Sequence, residues 1–342
     1  MKKVLTVLVP VYNTEKYIKR CLDSILLEEI LDDIEVITVS DGSKDSSVEI
    51  IKNYVKKYPN TLKLVEKENG GHGSTINKGI EIANGKYFRV LDSDDWVNPI
   101  DFIKYVKRLK QEDVDLVVTD YSQEHIYNET SITYTYKGLK DGTIYNFEKF
   151  NLENLNGEYF VMATSTYKLD ILKKSNLHLI EKTFYVDMQY NIEPIMYVKT
   201  FTYYNLDIYK YYIGRKDQSV NTMSFVKNQD HHEKVMKYLI EYYTNNKTNY
   251  SKVKLNYIEM ILIYMINTHY TIYISYDNNH KRAYKKIKEF DKYFKKTNFE
   301  LYKKTNSIAL IRAHRKTGFV FVKIFNKLFI KTFNLLFKLK HR

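Results

Sequence analysis

The 342-residue sequence contains one cysteine, Cys21, so it can form no internal disulfide and has no second thiolate for a zinc site. A lone thiol fits a reducing compartment. No stretch of about 18 uncharged apolar residues occurs, which leaves no good transmembrane candidate. The N-terminal run MKKVLTVLVPVYN is apolar over only about six residues before Pro10 and has no small-residue cleavage pattern, so it reads as a first strand and not a secretion signal. No G-x-G-x-x-G follows that strand, and G-x-x-x-x-G-K-[ST] is absent throughout, which excludes a dinucleotide fingerprint and a P-loop. Acidic residues are missing from 301–342, where 11 Lys and Arg stand, so of the net charge of +13 only +2 belongs to the first 300 residues. That distribution argues against a globally basic nucleic-acid binder, and no nucleic acid is expected as a partner. It favours an anionic surface touched by one end of the chain.

What is present is a core-forming composition, 44% hydrophobic, in a length that allows two domains at most, or one with a long extension. From residue 3 to about 120, short β-branched runs alternate with longer amphipathic stretches, the pattern of strands joined by crossover helices. Strands are predicted at Val4–Val9, Ile34–Val39, Leu62–Val65, Tyr87–Leu91 and Leu116–Thr119. Helices are predicted at about Thr14–Glu28, Asp45–Lys57, Ser74–Ala83 and Pro99–Lys110, with apolar positions such as Tyr17, Cys21, Leu22, Ile25 and Leu26 on one face. Residues 121–220 turn rich in Tyr and Thr, with a loop at Asp141-Gly142, and read as the second half of the same domain, carrying acceptor contacts. From about 228 to 300 the pattern is helical, and Tyr257, Met260, Ile261, Tyr264, Met265 and Thr268 read as core packing.

Four polar turns follow the carboxyl ends of the first four strands: Val11-Tyr12-Asn13, Ser40-Asp41-Gly42-Ser43, Asn69-Gly70-Gly71-His72-Gly73 and Asp92-Ser93-Asp94-Asp95. In an open α/β sheet this edge binds ligands, and four such turns make a nucleotide-sized cleft. Asp92, Asp94 and Asp95 concentrate negative charge that a divalent cation would offset. One carboxylate oxygen, water and two phosphates suit the near-octahedral coordination of Mg²⁺ or Mn²⁺. A solvated turn capping the helix near Pro99 is the plain alternative.

Taken together, Val9-Pro10-Val11-Tyr12-Asn13, Asp41-Gly42-Ser43-Lys44-Asp45, Asn69-Gly70-Gly71, Asn77-Lys78-Gly79, Ala83-Asn84-Gly85-Lys86-Tyr87 and Leu91-Asp92-Ser93-Asp94-Asp95 closely resemble the inverting family 2 glycosyltransferases of the GT-A fold. The motifs cover about the first 100 residues. The resemblance implies an α/β, Rossmann-like GT-A domain with a helical C-terminal extension. It implies that Pro10, Val11, Tyr12 and Asp41 hold the uracil of a UDP-sugar, where a carboxylate can accept the imide N–H; Asp41 can equally cap its helix. The D-x-D motif maps to Asp92, reaching the ribose or sharing the metal, and Asp94, coordinating Mn²⁺ or Mg²⁺, with Ser93 between them and Asp95 in support. The chain departs from the family where an arginine often precedes the Asn-x-Gly turn, because Ile76 stands there. His72 and Lys78 flank the gap, and the loop Gly71-His72-Gly73 with Asn77 is expected to bring backbone N–H groups close to phosphates.

Inverting transfer needs a carboxylate base beside the acceptor and a cation for the departing diphosphate. The family's Glu-Asp pair corresponds to Val186-Asp187, which leaves Asp187 as the expected base, with Glu181 and Glu193 as neighbouring carboxylates. Tyr211 to Val220 resembles the segment that closes the site, and Arg215 or Lys216 could pair with the diphosphate. The Gln-x-x-Arg-Trp motif of processive synthases is absent and no transmembrane helix is expected, so transfer of one sugar per encounter is the expectation. The expected layout is a catalytic domain over 1–225, in halves 1–120 and 121–225, then a helical extension over 226–342. Its tail, 316–342, places Lys323, Lys327, Lys331 and Lys338 near one face of an amphipathic helix suited to an anionic bilayer; a helix packed on the domain or on a second copy is the alternative. The expected activity moves a hexose or N-acetylhexosamine from a UDP-sugar to a hydroxyl of a glycan or lipid-linked acceptor, in cell-surface polysaccharide synthesis. The expected location is cytoplasmic, peripheral at the inner membrane face, and a homo-oligomer is compatible with the sequence. A nucleotidyltransferase of similar fold would need a glycine-rich basic loop after the first strand, and a non-catalytic membrane adaptor would leave the four turns unexplained.

Overall fold

The run LTVLVPV is buried along its whole length in the computed structural model, which describes residues 3–125, 127–214 and 222–324. It forms β1 (Leu5–Val11), and β2 (Ile34–Asp41) is likewise buried at all eight positions. Strands apolar on both sides must be covered on both sides, and the intervening segments do this as α1 (Ile18–Ile25), α2 (Ser47–Lys57), α3 (His72–Ile82) and α4 (Pro99–Leu109). Leu5, Val7, Val9 and Val11 share a core with Cys21, Leu22 and Ile25 of α1 and with Phe102, Tyr105 and Val106 of α4. Side chains alternate along a strand, so Leu8 faces the other way. It meets α3 at Gly79, where a Cβ would come within 2.6 Å of the Leu8 methyls. At the start of α4, Pro99 is pre-set for the first turn and the Asn98 side chain accepts from the N–H groups of Ile100 and Asp101.

Contacts divide the chain into two units, Met1–Arg215 with Ser251–Lys254, and Lys216–Tyr250 with Leu255–Arg342. The first holds a sheet with ten strands among the described residues. Besides β1 and β2 these are β3 (Leu62–Lys67), β4 (Tyr87–Val90), β5 (Trp96–Val97), β6 (Leu116–His125), β7 (Thr130–Tyr134), β8 (Ile144–Asn146), β9 (Ser165–Lys168) and β10 (Thr200–Ile213). The order is β3-β2-β1-β4-β9-β6-β10-β5, with β7 beside β6 and β8 beside β10. The pairs β3/β2, β2/β1 and β1/β4 are parallel, as the alternating pattern predicts. Then β9 enters antiparallel between β4 and β6, so the fifth predicted strand does not neighbour the fourth. Pro10 is tolerated within β1 because β4 pairs only with Leu5–Leu8, leaving that side of the strand free of a ladder at Pro10. Two short helices complete the unit, α5 (Leu169–Lys174) and α6 (Asp187–Ile192).

The second unit is helical in its described part: α7 (Thr222–Lys227), α8 (Gln229–Asn246), α9 (Lys252–Thr271), α10 (His280–Thr297), α11 (Phe299–Lys304), α12 (Ala309–Lys316) and α13 (Val320–Ile324). Tyr257, Ile261 and Met265 are buried, in keeping with core packing, while Tyr264 on the same helix is 55% exposed. Among the described residues no helix is long and apolar enough to cross a membrane. The tail beyond Ile324, with Lys327, Lys331 and Lys338, lies outside the described residues, as do Arg215 and Lys216.

Candidate active site at the carboxyl edge of the sheet

The turns after β1 and β2 are tied to each other before any ligand arrives. Asn13, held at φ 52°, accepts from the Lys44 N–H at 2.8 Å, and its own N–H donates to Ser43 Oγ. The Glu15 N–H donates to Asp45, and Glu15 accepts in return from the Ser46 N–H. This lacing leaves Tyr12 53% exposed at the edge while Val11 beneath it is buried.

Asp41 is only 3% exposed, and its carboxylate is turned toward the third turn. Oδ1 accepts from the Gly70 N–H at 2.8 Å and from Lys67 Nζ at 2.8 Å, and Oδ2 accepts from the Gly71 N–H at 2.7 Å. Of the loop Gly71-His72-Gly73, whose N–H groups are expected near phosphates, the Gly71 N–H is thus engaged by Asp41, which organises the glycine turn and does not cap α2. Gly71 sits at φ +83°, and a Cβ there would come within 3.1 Å of the Lys182 backbone; one on Gly73 would come within 2.9 Å of the Ile180 carbonyl. The glycines therefore admit the segment 180–183. Asn77 secures the same segment, donating to the Leu179 carbonyl and accepting from the Leu179 N–H. Lys78 pairs with Glu81 on the exposed side of α3.

The segment so held leads into α6, whose first residue is Asp187. Burial raises the Asp187 carboxyl above its ordinary value and Asp92 adds to this, while His72 opposes it. His72 Nε2 lies 2.9 Å from Asp92 Oδ1, with each side chain about one-third exposed. Burial would lower the His72 pKa, but Asp92, and then Asp187 and Asp94, hold it above the usual value. The structure therefore brings His72, Asp92, Asp94 and Asp187 together from three places in the sequence. Glu181 is exposed and Glu193 is buried.

Asp95 is fully buried. It accepts from the Tyr209 hydroxyl at 2.6 Å and the Tyr212 N–H at 2.8 Å, and Tyr209 also reaches the Asp92 N–H. Burial, then Asp94 and Asp92 beside it, push its carboxyl well above the usual range, against those two hydrogen bonds. Ser93 is buried, so Asp92 and Asp94, both half-buried, are the carboxylates the turn presents. Arg20 of α1 donates to the Asp94 carbonyl at 2.9 Å, its guanidinium 3.8 Å from the centroid of the Trp96 ring and 4.4 Å from that of Tyr212.

Residues 6–175 match the family described as Glycosyl transferase family 2. The chain carries a family 2 glycosyltransferase domain of the GT-A fold. It is 32% identical over 214 residues to the putative glycosyltransferase EpsH of Bacillus subtilis, covering 58% of this chain and 60% of that protein's length. It is 35% identical over 116 residues to a poly(ribitol-phosphate) beta-glucosyltransferase of Bacillus spizizenii, covering 33% of this chain and 18% of that one. Among solved structures, S. aureus TarS 1-349 in complex with UDP-GlcNAc superposes with a TM-score of 0.68 at 16% identity, over 94% of this chain and 90% of that one.

Within this glycosyltransferase domain, sequence reasoning missed Arg20, Trp96, Tyr209 and the site-facing part of Tyr211 and Tyr212. Tyr211, like Tyr209, carries an electrostatic mark of the site: burial, then Asp95, Asp92, Asp94 and Asp187, all raise its phenol. Only Tyr211 and Tyr212 had a signal in the sequence, as the start of the closing segment.

Proposed function

We propose that this glycosyltransferase moves a hexose or N-acetylhexosamine from a UDP-sugar to a hydroxyl of a glycan or lipid-linked acceptor with inversion, in the synthesis of a bacterial surface polysaccharide or wall polymer. The observation that carries the reading is the convergence of Asp92, Asp94, His72 and Asp187 on one edge beside the exposed Tyr12. The UDP-GlcNAc complex of TarS supports a nucleotide-sugar donor, and the poly(ribitol-phosphate) relative supports a polymer acceptor.

Tyr12 offers a ring face to the uracil, and Asp41 keeps the glycine turn in the shape that frames it. Asp92 and Asp94 are the residues that would hold Mn²⁺ or Mg²⁺. Their hard oxygen donors fit such a cation, and among the described residues no three His, Cys, Asp or Glu side chains are grouped to hold a metal without added ligands. When bound, the cation neutralises charge developing on the diphosphate. Asp187 accepts the proton of the attacking hydroxyl at its carboxylate, and its raised pKa brings it nearer the working pH of a general base. A single base opposite the leaving group gives one displacement and hence inversion. Arg215 and Lys216 are proposed diphosphate contacts, and the basic tail is proposed to hold the enzyme at the inner face of the membrane.

Calorimetry of UDP binding, with and without Mn²⁺, on the wild type and on Asp94→Asn tests this reading. Metal-dependent binding that the substitution abolishes is expected. A folded wild type that binds no UDP under either condition would overturn it.

A further inference from the structure

The rows of side chains running across β10, β6 and β7 lead away from the aspartates. Tyr209 of β10 pairs in register with Tyr121 of β6, which pairs with Tyr134 of β7. One residue on, Lys210 reaches Ser122 and Ser122 bonds Thr133, so that row occupies the opposite face. The three tyrosines therefore share a face. It begins at the Tyr209 hydroxyl on Asp95 and ends at Tyr134, 37% exposed, with its ring stacked on Tyr121 at 4.9 Å and 10°. Two strand spacings, about 10 Å, separate its ends. Beside Tyr134, Ile132 is 47% exposed, and Gln123 accepts from the Tyr134 hydroxyl.

All five residues of β7, TSITY, are exposed and none is charged. A solvent-facing strand needs no stacked aromatic and no isoleucine for its own fold; the acidic turn lies at the far end of the strip, and Glu158 is the carboxylate whose charge is felt at Tyr134. An aromatic face edged by an amide and hydroxyls matches a pyranose, which is apolar on its C–H face and hydroxylated at its rim. The absence of charge on β7 disfavours a phosphate-bearing group there.

We infer that the Tyr121–Tyr134 stack with Ile132 and Gln123 is an acceptor subsite that binds a neutral sugar ring of the glycan to be extended. The inference rests on the glycosyltransferase reading and assigns the direction from which its acceptor arrives. Exposed Tyr134 takes the ring face and Gln123 takes hydroxyls at its edge, while Tyr121 and the buried Tyr209 beneath fix the stack relative to the aspartate turn.

Saturation-transfer NMR on the full chain tests it, with methyl pyranosides of glucose, galactose, mannose, N-acetylglucosamine and N-acetylgalactosamine as probes and UDP titrated separately. At least one glycoside is expected to show transfer through its C–H face, falling at least tenfold in Tyr134→Ala and persisting in Tyr134→Phe, with UDP affinity unchanged in both. Should the alanine variant not fold, Tyr134→Leu, apolar without a ring face, takes its place. UDP binding with no glycoside signal, or a signal that survives loss of the ring, would overturn the subsite and leave the donor reading standing. A Tyr134 variant that changes sedimentation mass but not glycoside signal would overturn it in favour of a contact between copies. Absence of UDP binding by the folded wild type would instead remove the reading on which it rests.

Discussion

In the helical unit, Arg315 donates to Asp291 at 2.7 Å with its guanidinium 3.6 Å from the centroid of the Tyr302 ring, and Arg282 pairs with the buried Asp277 at 2.9 Å. At the carboxyl edge of the sheet, the buried Asp95 instead has Asp94 and Asp92 as neighbours in the chain and in its electrostatics. Opposite charges brought together offset their desolvation, while like charges crowded together add to it. The first arrangement maintains a fold. The second is held by rigid strands, by the Tyr209 and Tyr212 hydrogen bonds and by the neighbouring charges of Arg20 and His72, and crowding of like charges of this kind marks functional sites.

The largest effects should separate the two regions by kind. Asp187→Asn is expected to lower transfer by about 10²–10⁴-fold, the span of a lost general base. UDP affinity should stay within about twofold and the unfolding midpoint should not fall, because a buried carboxyl with a raised pKa is an electrostatic burden. Single-turnover kinetics and thermal unfolding on one preparation check both. In the helical unit, Arg315→Met leaves Asp291, among the described residues, with the Tyr270 and Tyr302 hydroxyls as partners. Breaking such a buried pair costs about 3 kcal/mol, read in a denaturant titration.

Acid should sharpen the contrast. His232 and His269 are buried, their rings stacked at 5.3 Å with the two Nδ1 atoms 3.2 Å apart, and Glu233, Lys237 and Lys286 are the charged groups around them. Burial pushes His232 down to about 4, and burial followed by His232 pushes His269 well below its usual value. An unfolded histidine binds its proton near 6.5, so below that pH the unfolded chain holds more protons than the folded one. The contribution of His232 is complete above about 6.5 and is lost as pH falls toward about 4, with about 2 kcal/mol gone by pH 5. Asp95 behaves oppositely: its raised carboxyl contributes most below the unfolded carboxyl pKa, and that contribution is lost as pH rises through the folded value. Hydrogen exchange at pH 7 and pH 5 should show protection in α8 and α9 falling at the lower pH and protection around Asp95 holding. His232→Phe should reduce the fall in the helices.

The same contrast explains what could be read before the structure. The strands β1 and β2 were legible as short apolar runs, and β3 and β4 as short runs rich in β-branched, leucine and aromatic residues between Asp, Asn or Gly turns, while Asp41, His72, Asp92, Asp94 and Asp187 stood out in the sequence as polar residues in those turns or beside a known motif and are brought to one edge by the fold. β10 was hidden: its register shifts between Tyr204 and Tyr209 break the alternation that marks a strand, and tyrosine serves equally in its core and on its surface. The work of Asp41 was hidden for another reason. Its partners Gly70 and Gly71 are backbone groups about 30 residues away, and no side-chain pattern announces them.

Arg20 belongs to the same hidden class, 74 residues from the carbonyl it binds, and the smallest expected effect concerns it. Its planar guanidinium lies against both Trp96 and Tyr212 while donating to the Asp94 backbone, so one side chain links α1, the aspartate turn and the end of β10. Lysine keeps the charge but has no plane to stack and only a point donor at its end. Arg20→Lys is therefore expected to weaken metal-dependent UDP binding by about fivefold, roughly 1 kcal/mol, with the unfolding midpoint moved by less than about 4 °C. Arg20→Ala should weaken it further, since the donor to the Asp94 carbonyl and the plane stacked on Trp96 and Tyr212 are both lost. Calorimetry against Mn²⁺ and UDP reads this directly. If Arg20→Lys left affinity unchanged while lowering the midpoint, Arg20 would be only a packing cation, and the edge would resemble the helical unit more closely than its crowded aspartates indicate.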